Sequence, residues 1–270
     1  MKKLSVIIVL IILTFVISGC GNSTIRANGI MIDGQFSLEG QQINEINFSF
    51  PGNVNLTTTA SDTVTWRIDE NLVEHLAINI NSQGLLRIEV RRESQSIGFN
   101  LTDSGGIEFN VGITSIRNLR VSGVSDVIVR GAFEATNFGL TMSGVSTVTG
   151  LEVLANYSIN IEMSGVSTIR NSKFEAETLN LNAAGVSAIQ ESSFIGDELF
   201  FTLSGSSSLN AQGETEELTV TTSGTSSANL TNLLAVNGSI TTNGASSVII
   251  NVSGSLQQSS SGVSSITNVA

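Results

Sequence analysis

Side chains of the types that carry enzyme chemistry are scarce in this sequence. His75 is the only histidine and Cys20 the only cysteine among 270 residues. A Ser/His/Asp triad or a histidine-based metal site would therefore have to include His75, which stands between Glu74 and Leu76 beside a predicted turn. Because no serine lies in a Gly-x-Ser-x-Gly motif, the sequence favours a solvated histidine over a catalytic one.

Paired carboxylates are the second kind of candidate, because many glycosidases place two of them across the scissile bond. Three acids of this chain lack evident partners: Asp126, Glu152 and Glu162. Three others cluster in a predicted loop: Glu214, Glu216 and Glu217. The Asp-rich pattern of calcium-binding repeats is also missing from the sequence. We therefore predict no catalytic site, no metal site and no cofactor. A polysaccharide-active enzyme is the least favoured alternative.

The N-terminus has the pattern of an export signal. Lys2 and Lys3 precede an apolar stretch from 4 to 17, which is shorter than the roughly 20 residues of a membrane-spanning helix. Ile17-Ser18-Gly19-Cys20 follows, and it resembles the lipobox of bacterial lipoproteins. The resemblance implies a signal peptide at 1–19, lipidation of Cys20 and anchoring to a membrane through its acyl chains. A plain secretory signal and a buried free thiol are the alternatives.

The same resemblance implies a location in the bacterial envelope. Gly21 stands where many Gram-negative lipoproteins that stay in the inner membrane carry Asp, so we expect the cell surface or the outer membrane. Removal of the signal with Lys2 and Lys3 would change the net charge from −11 to −13. Nucleic-acid binding needs clustered cations that face phosphates, so we expect no nucleic-acid partner.

Charge is distributed unevenly along the chain. No Lys or Arg follows Lys173, and residues 218–270 contain no charged side chain. One interpretation of this segment is a solvated sheet surface of Ser, Thr and Asn. The other is a neutral contact surface, which predicts end-to-end self-association of molecules through the C-terminal coil.

A short motif of the form Ser-Gly-Val-Ser recurs eight times, with some substitutions. Its glycines are 21, 21, 20, 20, 19, 20 and 18 residues apart. These glycines are Gly123, Gly144, Gly165, Gly185, Gly205, Gly224, Gly244 and Gly262. Eight copies at nearly constant spacing indicate a repeat protein in which each copy is one structural unit. The glycines predict a corner with positive φ or close backbone approach.

The apolar residues around each glycine alternate with polar ones, which is typical of β-strands. Ile159, Ile161 and Met163 show this pattern before a glycine, and Val127 or Val148 returns four positions after one. A unit of about 20 residues with two or three short strands matches one coil of a parallel β-helix. We therefore predict an all-β solenoid whose equivalent residues stack in columns about 4.8 Å apart.

The serine two positions after each glycine occurs in all eight copies. These serines are Ser125, Ser146, Ser167, Ser187, Ser207, Ser226, Ser246 and Ser264. They share the phase of the aliphatic residue two positions later, so we predict an inward or corner-facing serine ladder whose hydroxyls bond to backbone groups of neighbouring coils. The same phase predicts an outward stripe of Val124, Val145, Val166 and Val186, although a phase shift at the corner would bury these valines instead.

The strand before each glycine also has an outward column, and this is the candidate binding face. Its residues are Arg120, Thr141, Glu162, Asn182, Thr202, Thr221 and Thr241. Such a surface can hydrogen-bond a glycan or an extended protein partner, but ordinary solvated strands have the same composition.

The repeats and the N-terminal part together resemble a known family. The segment 69–90 contains "DENLVEH" and "INSQGLLRIEV", and the turns follow the pattern Ser-Gly-Val-Ser-x-Val/Ile. With these features the chain is similar to the GIN-type head domain of putative autotransporter adhesins, over roughly 43–270. The resemblance implies a right-handed parallel β-helix and a surface role, and it brings no catalytic residues.

These observations divide the chain into four parts. We expect the signal peptide at 1–19, a lipidated cysteine and tether at 20–42, an N-terminal β cap with degenerate coils at 43–116, and the eight repeats at 117–270. The predicted function is a lipid-anchored surface module for adhesion or extracellular binding, with a glycan or a surface protein as partner. A structural envelope component without a specific ligand is the alternative.

Overall fold

The computed structural model describes residues 24–95 and 97–270, so the predicted signal peptide and Cys20 lie outside the described residues. It confirms the predicted fold class, because the strands form a β-solenoid of about 8 turns with roughly 20-residue spacing. Within the described residues, the helical elements are two short 3₁₀ helices, Glu70–His75 and Arg92–Ser94.

Nine strands precede the eight repeats. They are β1 (Thr24–Arg26), β2 (Met31–Ser37), β3 (Glu45–Phe48), β4 (Gly52–Thr57), β5 (Thr63–Asp69), β6 (Leu76–Ile80), β7 (Leu85–Val90), β8 (Gly98–Asn100) and β9 (Glu108–Gly112). We call residues 24–116 the N-terminal region.

Fourteen strands form the repeat region, residues 117–270. They are β10 (Asn118–Val121), β11 (Val124–Arg130), β12 (Ala132–Met142), β13 (Val145–Thr149), β14 (Glu152–Met163), β15 (Val166–Arg170), β16 (Lys173–Glu175), β17 (Thr178–Ala183), β18 (Ala188–Leu203), β19 (Ser208–Thr222), β20 (Ser227–Thr242), β21 (Ser247–Val252), β22 (Leu256–Ser260) and β23 (Ser265–Asn268). The longest of these strands bend around a corner and contribute to more than one face of the solenoid.

Each repeat forms one coil with three faces. The segment before the corner glycine lies on the first face, the segment after it on the second face, and the segment that leads to the next coil on the third face. In the first coil these are β10, β11 and the start of β12. Equivalent segments pair in parallel from coil to coil, as in Leu119 with Leu140 and Val127 with Val148.

The core runs along the solenoid axis, because alternate residues of every face point inward and stack on their equivalents. On the third face, Phe133, Val153, Phe174 and Phe194 occupy one column and are fully buried. The rings of Phe174 and Phe194 stack with centroids 5.4 Å apart, and Phe201 meets Phe194 edge-on at 5.2 Å. One coil cannot bury these side chains by itself, so the core depends on the stacking.

The eight repeat glycines stack at one corner with φ between +73° and +82°. From Gly144 onward, a Cβ at each glycine would come within 2.5–2.6 Å of the carbonyl oxygen of the glycine one coil below. Both the left-handed backbone and the close approach exclude a larger residue. The corner therefore requires glycine for two independent reasons.

Stacking order and chain order differ in the N-terminal region. β3 and β4 form a coil that pairs with β10 and β11 of the first repeat. β7 and β9 pair with the other edge of β3 and β4, so residues 85–112 lie further from the repeats than residues 45–57.

Antiparallel strands cover this end of the solenoid, and they correct the predicted tether. β5 pairs antiparallel with β9, and β2 pairs antiparallel with β5 over seven positions. Residues from Thr24 onward, assigned to the tether at 20–42, are therefore part of the fold. Gly34 in β2 makes this pairing possible, because a Cβ there would overlap the indole of Trp66. A strand interrupted by glycine has a weak alternating pattern, which explains why it was missed.

Candidate binding surface

The seven residues of the candidate binding face lie in one column on the first face. Strand register pairs each with the next, from Arg120 with Thr141 up to Thr221 with Thr241. Asn47 continues the column below Arg120, and Ser259 continues it above Thr241. All seven point outward and are exposed or half-buried. The solenoid therefore presents a straight row of polar side chains along its axis.

A second outward column runs beside the first. It contains Asn118, Gly139, Asn160, Asn180, Phe200, Thr219 and Ser239. The side-chain amide of Asn180 donates to Oδ1 of Asn160 at 3.1 Å, and Phe200 is 37% exposed. Phe200 was not among the predicted binding residues, although its position between Leu199 and Phe201 in an alternating strand marks it as outward. An exposed aromatic ring among amides and hydroxyls can stack and hydrogen-bond at the same time.

The serine ladder lies at the corner between the first and second faces. Ser125 to Ser246 are buried in seven consecutive coils, whereas Ser264 in the last described coil is half-buried. Most of the hydroxyls donate to the backbone oxygen three residues earlier, as Ser187 does to Ala184 at 2.6 Å and Ser207 to Ser204 at 2.7 Å. Bonds to the neighbouring coil also occur, for example Ser207 to the backbone oxygen of Ala183. The ladder therefore chiefly closes the glycine turn of its own coil, which corrects the prediction that its hydroxyls bond to neighbouring coils.

The valine stripe faces outward. Val124, Val145, Val166 and Val186 are between 48% and 57% exposed, and register pairs Val124 with Val145 and Val145 with Val166. The inward–outward alternation therefore continues through the corner without the shift that would have buried these valines. The stripe stops at Ser206 and Thr225 in the following coils.

His75 is not solvated, which corrects the sequence interpretation. The residue is only 8% exposed, at the end of the 3₁₀ helix Glu70–His75. Its Nδ1 lies 2.7 Å from Oγ of Ser94, and its Nε2 lies 3.6 Å from Oε1 of Glu74. Ser94 is itself 5% exposed, so this arrangement has no open position for a substrate. The buried imidazole packs beside Phe99, and its contact with Ser94 joins the first 3₁₀ helix to the second.

The acids considered as catalytic candidates lie on different faces. Glu162 belongs to the first face, Asp126 to the second and Glu152 to the third. Glu214, Glu216 and Glu217 are part of β19 rather than a loop, which corrects the sequence prediction. Among the residues that the structure describes, no group of three His, Cys, Asp or Glu side chains is placed to hold a metal ion.

The C-terminal coil, predicted to mediate self-association, consists of β22 and β23. They pair in parallel with β20 and β21, and Val263 between them is 88% exposed. Self-association stays a prediction, which light scattering over a range of concentrations would test. Across residues 24–95 and 97–270, no helix has the length and apolarity to cross a membrane.

Three long faces with stacked outward columns define this protein as a β-solenoid with extended flat surfaces. A family model described as "Putative auto-transporter adhesin, head GIN domain" matches residues 43–199 and 160–269. The chain therefore belongs to this family, which confirms the resemblance found in the sequence. No curated protein matches the chain by sequence.

Several solved structures share the fold. A putative adhesin from Parabacteroides merdae matches with a TM-score of 0.71 at 14% identity, over 92% of this chain and 100% of its own. A structure from Parabacteroides distasonis described as a putative lipid binding protein matches with a TM-score of 0.76 at 16% identity, over 92% and 100%. A putative adhesin from Bacteroides fragilis matches with a TM-score of 0.58 at 16% identity, over 91% and 100%. The description of the family as a putative adhesin suggests a non-enzymatic protein at the cell surface or outside the cell.

Proposed function

We propose that this protein is a lipid-anchored surface module that binds an extended ligand through the first face and performs no catalysis. The observation that carries the proposal is the straight, outward column from Arg120 to Thr241, which crosses seven consecutive coils. A rigid sheet loses little conformational entropy when it binds, because its side chains are already held in register. A linear ligand could contact one polar side chain of this column on every coil.

The chemistry of the first face favours a glycan as this ligand. Around Phe200 the surface consists chiefly of amides and hydroxyls, including Asn180, Asn182, Thr202 and Thr219. The exposed carboxylate of Glu198 lies two positions earlier on the same strand. The amides and hydroxyls donate and accept hydrogen bonds without a net charge, and the carboxylate accepts them, as sugar hydroxyls require. The exposed ring of Phe200 adds an apolar platform on which a sugar ring can stack. An extended surface protein is the second partner class that the face could hydrogen-bond.

A binding screen with a matched aromatic substitution tests this proposal. The purified protein is applied to a glycan array and to extracellular-matrix proteins, and each hit is measured again with Phe200→Thr. The control is Tyr157→Thr, because Tyr157 is 57% exposed but lies outside the two columns of the first face. We expect Phe200→Thr to weaken binding roughly tenfold and Tyr157→Thr to leave it unchanged. Equal loss in both variants would show that the ligand does not bind through the first face, and no hit at all would favour the structural envelope component.

The lipid anchor is a separate part of the proposal and rests on the lipobox at 17–20. We expect Cys20→Ala to move the protein from the membrane fraction to the soluble fraction and to abolish incorporation of labelled palmitate. A Ser18→Ala variant keeps a small residue two positions before the cysteine and should be lipidated normally. Membrane retention of Cys20→Ala without label would show that another segment holds the protein there.

A further inference from the structure

The third face has an outward column in which acids and aliphatic residues alternate. Register pairs its members coil by coil, and they are Glu134, Leu154, Glu175, Ile195, Glu214 and Leu234. This column differs from those of the first face, where polar residues dominate. Leu154 is 37% exposed and Leu234 is 57% exposed, so the aliphatic members are open to a partner.

The upper part of this face forms a groove of about 390 Å³. Its walls combine three aliphatic side chains with three carboxylates: Ile195, Leu234 and Val236 with Asp197, Glu214 and Glu216. Leu234 and Val236 are each more than half exposed, whereas Ala235 between them is buried in the core. Exposed aliphatic groups gathered in a groove and rimmed by charge are typical of an interaction site.

The charge of the groove is not neutralised by neighbouring cations. Lys173 is the last cation of the sequence, and it pairs with Glu175 at 3.0 Å, two coils below Glu214. Eight carboxylates and no cations occur from residue 174 to the end of the chain. An apolar partner without charge would leave these acids unpaired, and an anionic partner would be repelled.

We propose that the third-face groove binds a cationic, amphipathic polypeptide segment in an extended conformation. The aliphatic side chains of the segment would cover Leu234 and Val236, and its Lys or Arg side chains would pair with Glu214, Glu216 and Asp197. Charge complementarity selects this partner over a neutral peptide, and the exposed aliphatic groups select it over a simple cation. The groove lies on a different face from the proposed glycan-binding surface, so either proposal can be correct when the other is wrong.

The spacing of the column specifies the conformation of the partner further. Glutamates recur at every second coil, which is about 9.6 Å for a spacing of about 4.8 Å per coil. In a polyproline II segment, every third residue returns to the same side after about 9.3 Å. A β-strand returns after about 6.7 Å and does not match. A segment with a cation at every third residue, lying along the solenoid axis, therefore fits the column, and the cation that reaches Glu175 would compete with Lys173 for it.

Fluorescence anisotropy with designed peptides tests the proposal on the full chain. The probe is a labelled peptide of four Lys-Pro-Leu repeats, and its control has the same composition with all lysines gathered at one end. We expect the repeat peptide to bind at least threefold more tightly than the control peptide. Leu234→Thr and Glu216→Gln should each weaken it roughly threefold to tenfold, as for partly exposed apolar and charged contacts.

Matched substitutions on the other faces separate specific binding from general attraction to an acidic protein. Val145→Thr removes a similarly exposed aliphatic group from the valine stripe, and Asp126→Asn removes one exposed charge from the second face. Neither should change the affinity. The proposal is overturned if both peptides bind alike, if Leu234→Thr has no effect while Glu216→Gln does, or if the two controls weaken binding as strongly as the groove variants.

Discussion

The two regions of this solenoid reach the same cross-section by different means. In the repeat region every layer is parallel, follows chain order and places like residues over one another, as in Leu119 over Leu140. In the N-terminal region the layers include antiparallel strands and do not follow chain order, since β3 lies between β7 and β10. Repetition therefore suffices to build the coils, whereas the end that closes them requires contacts that occur once.

The polar groups show the same contrast. The carboxylate of Asp69 is fully buried in the N-terminal region, where it accepts hydrogen bonds from the backbone of Gly29, at 2.8 Å, and from the hydroxyl of Ser104. The buried polar groups of the repeat region are instead short hydroxyls, most of which bond to a backbone oxygen within three residues. A charge can be buried only with specific partners, so a position such as Asp69 cannot be repeated from coil to coil.

The largest effect is expected for Phe194, where stacking in the repeat region is densest. Phe194→Ala should lower the free energy of unfolding by about 3–5 kcal/mol, because it removes a fully buried ring that contacts Phe174 and Phe201. Hydrogen exchange should increase in the adjoining coils and stay slow in β3, β7 and β9, since each coil contacts only its neighbours. The control is Phe200→Ala on the same strand, whose ring points outward. A uniform increase in exchange over both regions would show that they unfold as one unit.

The glycine corner offers the second comparison, between Gly165 in the repeat region and Gly40 in the N-terminal region. Both have positive φ, +73° and +70°, but only at Gly165 would a Cβ meet a neighbouring backbone oxygen, at 2.5 Å. We expect Gly165→Ala to cost about 2–4 kcal/mol and Gly40→Ala only about 1 kcal/mol in thermal or denaturant unfolding. Equal costs would mean that backbone strain, rather than close stacking of coils, accounts for the glycine column.

These contrasts explain which parts of the structure could be predicted from the sequence. The corner glycines and the serine ladder recur at nearly constant spacing, so their positions follow from counting. The third face was not found, because register shifts occur between the corner and that face, as between Ile189 and Ser192. Glu191 there has φ of +50°, and such an extra residue breaks the alternation that identifies an outward column. Burial of His75 depends on one 3₁₀ helix, for which the sequence has no repeated signal.

The serine ladder allows a test of local bonding at equivalent positions of the repeat region. Ser207 donates to the backbone oxygens of Ser204 and Ala183, whereas the buried hydroxyl of Ser146 has no hydrogen-bond partner. Ser207→Ala should cost about 1 kcal/mol, because it leaves the backbone oxygen of Ser204 without this donor, whereas the oxygen of Ala183 still accepts from the N–H of Ser204. Ser146→Ala should be neutral or slightly stabilising. Urea unfolding of the two variants measures the difference. If Ser146→Ala costs as much as Ser207→Ala, the ladder contributes through packing and not through its hydrogen bonds.

The smallest effect is expected at the outer edge of the N-terminal region, where β1 pairs with β8. The side chain of Arg26 in β1 bonds to Asp103 in the turn after β8, and this hydrogen bond lowers the pKa of Asp103. Because the pKa of Asp103 is lower in the folded protein, the contact stabilises the fold fully at pH values above the ordinary pKa of an aspartate. This stabilisation is lost as the pH falls through the lowered pKa.

Because both side chains are exposed, Asp103→Asn should change the melting temperature by less than about 3 °C. In the unchanged protein, loss of this contact at low pH should increase the hydrogen exchange of β1 and β8, and Asp103→Asn should abolish that increase. Exchange of β2 and β5, which are joined by seven paired positions, should be the same in both proteins. Persistence of the acid response in Asp103→Asn would assign it to another group and leave the β1–β8 pairing dependent on its backbone bonds alone.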